Sequence, residues 1–217
     1  MSWVTASVSV LAAIVVSPLL AGWTVGLTTN PTAARASWWR PRTVSLIRFS
    51  TVAGVAVVLA AGASGGEPLV AWWLFAAGGA VLCVTDAEHH LLPARIVHPL
   101  AAAVVAALAM TAAATGEPGR LLSAILAAAA IGAGWFAVAF LAPSALGLGD
   151  VWVAALAAGL LGWTSWSAVL AGQLAAFGLA VITAGILTAT RGRERGRAMQ
   201  IPMGPALILG AILVTWL

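Results

Sequence analysis

The chain has 217 residues, of which 62% are hydrophobic and only 7% are charged. A soluble globular protein carries about a quarter of its residues as charges, so this composition excludes that class. The net charge is +4, and every basic residue is an arginine. In a polytopic membrane protein, arginine clusters act as topology signals beside the helices, and no nucleic-acid partner is expected. The predicted fold class is therefore an all-α polytopic membrane protein.

Charge-free stretches predict about eight transmembrane helices in a single domain, residues 1–217. A spanning helix needs about 20 apolar residues, so the long stretch 151–190 should hold two helices. The turn signal Gly162–Ser165 divides this stretch. The expected limits are Val4–Leu27, Val44–Gly62, Leu69–Val84, Val97–Thr111, Leu121–Leu141, Val151–Gly162, Trp166–Ala189 and Pro202–Leu217.

Arginine and tryptophan positions indicate where the chain meets the membrane surfaces. Alternate connections carry eight of the arginines, whereas the remaining connections carry only Arg120. Because positively charged loops stay in the cytoplasm, the run Arg191–Arg197 is expected there, beside anionic lipid headgroups, with both termini outside. Tryptophans such as Trp72 and Trp163 are expected in the aromatic belts at the two surfaces.

Asp86 and Asp150 stand at the ends of apolar helices, where an ionised group costs several kcal/mol of desolvation. A helix from Val151 to Gly162 is roughly 18 Å long, against about 30 Å of hydrocarbon. Asp150 is therefore expected roughly 10 Å inside the cytoplasmic boundary, facing a water-filled cavity. Asp86 ends a helix that enters from the opposite surface, so the two carboxylates are expected at one level.

Two carboxylates in one partly desolvated site cannot both ionise cheaply, so one keeps its proton while the other acts as a base. Such a pair can activate water and protonate the leaving nitrogen of a peptide. A proton-coupled transporter can also use two membrane acids. The chemistry of the residues alone leaves both functions open.

Three segments resemble motifs of the bacterial type IV prepilin leader peptidases, which are membrane aspartic proteases with a GxGD motif. Gly147-Leu148-Gly149-Asp150 resembles the GxGD motif itself. The stretch Thr85–Pro93 looks like the family's first-aspartate segment, and Ile201–Ala211 resembles the IPFGP segment that opens its last helix. The resemblance defines a motif-bearing core of roughly residues 69–217.

The resemblance implies a GxGD-type aspartic endopeptidase that removes the leader of a pilin-like precursor at the cytoplasmic face of the bacterial inner membrane. By correspondence, Asp86 and Asp150 would be the catalytic pair. Gly147 and Gly149 would supply unhindered backbone at the site. Residues with a substrate-side or structural role would be Glu88, Pro202, Gly204 and Pro205.

The family's longer members carry a four-cysteine zinc-binding insertion and also methylate the mature pilin with S-adenosylmethionine. This chain has one cysteine, Cys83, and no room for such an insertion, so a protease-only form without cofactor or metal is expected. His89, His90 and His98 lie near the acids but lack the repeated spacing of metal ligands.

Two positions depart from the family pattern. Trp152 stands where the family usually has a lysine, and Ala94 replaces an asparagine that often follows the proline of the first motif. Neither change affects the aspartates. A catalytically inactive homologue is therefore the remaining alternative beside the transporter.

Overall fold

A computed structural model describes residues 68–89, 92–142, 146–191 and 203–215, which form six α-helices. Within these ranges no strand occurs, so the all-α prediction is confirmed for the described part of the chain. The helices expected at Val4–Leu27 and Val44–Gly62 lie outside the described residues. The six helices are α1 Leu69–His89, α2 Ala94–Thr115, α3 Pro118–Leu141, α4 Leu148–Thr164, α5 Trp166–Arg191 and α6 Met203–Val214.

Three of these helices are long and apolar enough to cross a membrane, namely α2, α3 and α5. Their spanning segments have mean hydropathies of 2.0 to 2.2. The apolar parts of α1, α4 and α6 are shorter. Large apolar side chains such as Leu126, Phe140 and Leu174 are exposed, as expected of surfaces that face lipid. These are the features of an integral membrane protein.

Helix α4 lies at the centre of the described helices and contacts α2, α3, α5 and α6. From Val151 to Trp163 every residue is buried except Trp152 and Ala155. A helix that is apolar on all sides is suited to such a position. Small residues bring α3 close, since a methyl group added at Gly162 would lie 2.5 Å from the nearest side-chain carbon of α3.

The ends of α4 differ from the prediction. The helix begins at Leu148 instead of Val151 and continues past Gly162 to Thr164, and the extended residue Ser165 ends it. The Ser165 hydroxyl then accepts a hydrogen bond from a backbone N–H in the first turn of α5. From Asp150 to Thr164 the helix is roughly 21 Å long, still shorter than about 30 Å of hydrocarbon, so the depth of Asp150 stays a prediction. The predicted division of the 151–190 stretch into two helices is confirmed, because Ser165, within the turn signal, separates α4 from α5.

Two tryptophans expected in the aromatic belts are instead buried inside the protein. Trp72 is 1% exposed and Trp163 is 2% exposed, whereas Trp166 remains at the surface. The Trp72 ring packs edge-on against Phe75, with 6.0 Å between ring centroids. Because alanine and glycine dominate the neighbouring helices, bulky indoles are needed to fill the space between them.

Consecutive helices alternate in direction. At the end of α2, Gly116 adopts the left-handed conformation (φ 69°) and donates its N–H to the Ala112 carbonyl. An ion pair of 3.2 Å between Arg120 and Glu117 lies at the start of α3, where both side chains are exposed. The α1–α2 connection and the first turns of α4 and α6 lie at the other end, where the candidate site is found.

Candidate functional site

The candidate site lies where α1 ends and where α4 and α6 begin. Asp86 is in the last turns of α1, Asp150 is in the first turn of α4, and Gly204 is in the first turn of α6. The α1–α2 connection adds Leu92 beside them. Leu92 faces both Gly149, the residue before Asp150, and Gly204, which binds Asp86, so the two aspartates lie on either side of one leucine.

Asp86 is the more buried of the two acids, with 5% of its surface exposed. The backbone N–H of Gly204 donates a hydrogen bond of 2.9 Å to Asp86 Oδ2 in this buried setting. The N–H groups of a first helical turn have no partner within their own helix. Asp86 therefore satisfies a free donor of α6 and lies at the end of that helix which favours negative charge.

Asp150 is partly exposed and is held by its own helix. The backbone N–H of Gly147, the N-cap residue of α4, donates a hydrogen bond of 3.1 Å to Asp150 Oδ2. The Asp150 N–H in turn donates to the Gly147 carbonyl at 3.1 Å. This is one half of a capping box, in which an acid in the first turn accepts the N–H of the N-cap residue. The spacing of the GxGD motif therefore fits the geometry of a helix start.

Two glycines of the site allow close approach of other groups. A methyl group at Gly149 would lie 2.5 Å from the Leu92 Cβ and 3.0 Å from its carbonyl oxygen. A methyl group at Gly204 would lie 2.9 Å from Asp86 Oδ2 and 3.2 Å from Leu92 Cδ2. At Gly147 the nearest atom would be Asp150 Oδ2 at 3.4 Å, an ordinary contact. Steric crowding therefore requires glycine at 149, whereas a methyl group at 204 would press on the end of the Asp86 side chain, and one at 147 would be tolerated.

No sequence pattern singled out Leu92, although it contacts both crowded glycines. Its one distinguishing feature is that it directly precedes Pro93 in the first-aspartate segment. The other expected site residues are less informative. Pro205 is half-buried in the first turn of α6, a position that tolerates proline, while Pro202 and the side chain of Glu88 lie outside the described part.

Trp152 lies beside the site on the outer face of α4, where 50% of its surface is exposed. The edge of the His98 ring packs on it, with 5.1 Å between ring centroids. This contact joins the second turns of α2 and α4. Among the described residues, no group of three or more His, Cys, Asp or Glu side chains is arranged to hold a metal ion.

One buried and one partly exposed carboxylate, each fixed by a backbone N–H, can divide the roles of acid and base between them. The type IV leader peptidase family model matches residues 69–189, more than half of the chain, and this range includes both aspartates but not Gly204. Neither a curated protein nor a solved structure matches the chain significantly. The family match shows that the chain belongs to the type IV leader peptidase family.

Proposed function

We propose that the chain is a membrane-embedded aspartic endopeptidase that removes the leader peptide of type IV pilin-like precursors. The main support for this proposal is that Asp86 and Asp150 lie at one end of the helices. Each accepts a hydrogen bond from a backbone N–H at the start of a helix. Family membership supports a peptidase. The chemistry of paired carboxylates supports the aspartic type.

In the proposed reaction, the ionised carboxylate takes a proton from a water molecule, and the water oxygen bonds to the scissile carbonyl carbon. The protonated carboxyl gives its proton to the leaving nitrogen as the carbon–nitrogen bond breaks. The leader departs with a new carboxyl terminus, and the mature protein keeps a new amino terminus. Water is the only co-reactant, so the reaction proceeds without a cofactor.

The proposal includes the whole chain as one integral membrane peptidase domain, residues 1–217, in the bacterial inner membrane. The protein partner is the precursor, which presents its leader at the cytoplasmic face. The Arg191–Arg197 run would attract anionic lipid headgroups on the same side. Both termini would then lie outside the cytoplasm.

The test is cleavage of a pilin-like precursor in liposomes by Asp86→Asn, Asp150→Asn and the double variant, after correct membrane insertion is verified. Each substitution keeps the shape of the side chain but removes its acid–base function. Each single variant should abolish cleavage, and the double variant should add little, because the two residues act as one unit. Glu117→Gln is the matched control, since Glu117 is exposed at the opposite end and should leave cleavage intact.

Near wild-type cleavage by either Asp→Asn variant would contradict the proposal. Proton flux into the same liposomes separates the alternatives. If the wild-type protein cleaves nothing but moves protons in an aspartate-dependent way, a proton-coupled transporter is favoured. If it does neither, the chain is an inactive homologue.

A further inference from the structure

Leu92 lies between the two halves of the candidate site. Its Cβ and carbonyl oxygen face Gly149, the residue directly before Asp150, and its Cδ2 faces Gly204, whose N–H holds Asp86. The side chain is half-buried and packs against the apolar core. A single leucine therefore contacts the backbone beside each aspartate.

The backbone of Leu92 is restrained by Pro93, the next residue along the chain. A residue before proline is restricted to extended conformations, and Pro93 is the N-cap residue of α2. The Pro93 carbonyl accepts the N–H groups of Ile96 and Val97 at 2.9 and 3.1 Å. Leu92 is thus attached to the first turn of a membrane-spanning helix and has little freedom to move away from the two glycines.

We propose that Leu92 is a positioning residue that sets the spacing of Asp86 and Asp150; this inference rests on the proposed peptidase function. Leu92 limits how closely the start of α4 can approach the α1–α2 connection. On its other side, it limits the approach of the start of α6 in the same way. Without its isobutyl group, the hydrogen-bonded pair of Gly204 and Asp86 could shift relative to Asp150. An aspartic mechanism needs both carboxyl groups on one water molecule and one peptide bond, so a small shift separates them from the reacting atoms.

The experiment measures kcat and KM for precursor cleavage by Leu92→Ala, Leu92→Met and the matched control Leu121→Ala. Leu121 is a similarly half-buried leucine near the opposite end, at the start of α3. Leu92→Ala should lower kcat on the order of 10²-fold, the effect of a misplacement of about 1 Å. KM should change little, because an interaction that acts only in the transition state affects kcat. Leu92→Met conserves volume and should restore most of kcat.

Correctly folded Leu92→Ala with wild-type kcat would overturn the inference, as would a raised KM with unchanged kcat, which would make Leu92 a substrate contact. An equal loss of kcat in Leu121→Ala would also overturn it, since the effect would then be general loosening. If Leu92→Ala does not insert into the membrane, kcat is measured for Leu92→Val instead. A reduced kcat in that variant supports the inference, and wild-type kcat overturns it. Full cleavage by the Asp→Asn variants is a distinct result, which refutes the proposed function itself.

Discussion

At the scale of single residues, a backbone N–H holds each aspartate of the candidate site. The two aspartates and the GxGD glycines could be identified from the sequence, because they form short motifs. The partner of Asp86 could not, because Gly204 is 118 positions away and only the tertiary fold brings it close. The contact of Leu92 with Gly149 was missed for the same reason. The sequence therefore identifies the residues of the motifs but not the contacts between motifs that are far apart in the chain.

The two glycines of the GxGD motif should respond differently to the same substitution. Gly149→Ala places a methyl group 2.5 Å from the Leu92 Cβ, and such overpacking costs about 1–3 kcal/mol. Gly147→Ala retains the N–H that binds Asp150 and adds only an ordinary contact. We expect a much larger loss of cleavage and of thermal stability for Gly149→Ala. Equal losses in the two variants would contradict the steric explanation.

Gly204→Ala should displace the Asp86 carboxylate, since the new methyl group would lie 2.9 Å from Oδ2. The expected result is a loss of kcat of about 10²-fold, from misplacement of an acid–base group. Gly178→Ala in α5 is the matched control, because no atom outside its own helix lies within 4 Å of the added methyl group. The measurement is kcat for steady-state cleavage by both purified variants. Unchanged kcat in Gly204→Ala would rule out crowding at Asp86.

At the scale of elements, the hydrophobic pattern predicted six helices in the described part of the chain, and their order is confirmed. The predicted turn does separate α4 from α5 at Ser165, but the pattern missed the limits of α4, which begins at Leu148 instead of Val151 and ends at Thr164 instead of Gly162. Hydropathy also could not separate a buried tryptophan from one at the membrane surface. Both errors arise because helix packing, which depends on all the elements, overrides local signals.

A buried hydrogen bond should stabilise the packing of α3 against α5. The Trp135 indole N–H donates to Gln173 Oε1 at 2.9 Å, and the Trp135 ring stacks on Phe177 with 5.4 Å between centroids. Gln173→Leu should lower the free energy of unfolding by about 0.6 kcal/mol, the average for such bonds in membrane proteins, and by no more than about 1.7 kcal/mol. Unfolding in mixed micelles measures this change.

The control for this bond is Trp135→Phe, which removes the donor and keeps an aromatic ring. In a double-mutant cycle, Trp135→Phe with Gln173→Leu should cost less than the sum of the single losses, because each single variant already breaks the bond. Strict additivity would show that the bond contributes nothing to stability.

At the scale of the whole molecule, two of the arginines and the candidate site lie at the same end of the helices. Arg95 in the first turn of α2 and Arg191 at the end of α5 lie at the same end of the helices as Asp86 and Asp150. The arginine asymmetry predicts which end faces the cytoplasm, and the hydrophobic pattern predicts both aspartates at one level. The helix directions agree with the second prediction, because α1 ends and α4 begins at this end. The leader of a precursor would therefore be cut on the arginine-rich side.

This orientation predicts the labelling of two introduced cysteines in a Cys83→Ala background. Gly196→Cys lies in the Arg191–Arg197 run, whereas Thr115→Cys is exposed at the end of α2, at the opposite end from the aspartates. In spheroplasts, a membrane-impermeant maleimide should label Thr115→Cys and spare Gly196→Cys, because the arginine-rich connections remain in the cytoplasm. Permeabilised cells should label both cysteines, which controls for reactivity. Labelling of Gly196→Cys in intact spheroplasts would invert the topology, and the aspartates would then face away from the leader of a cytoplasmic precursor.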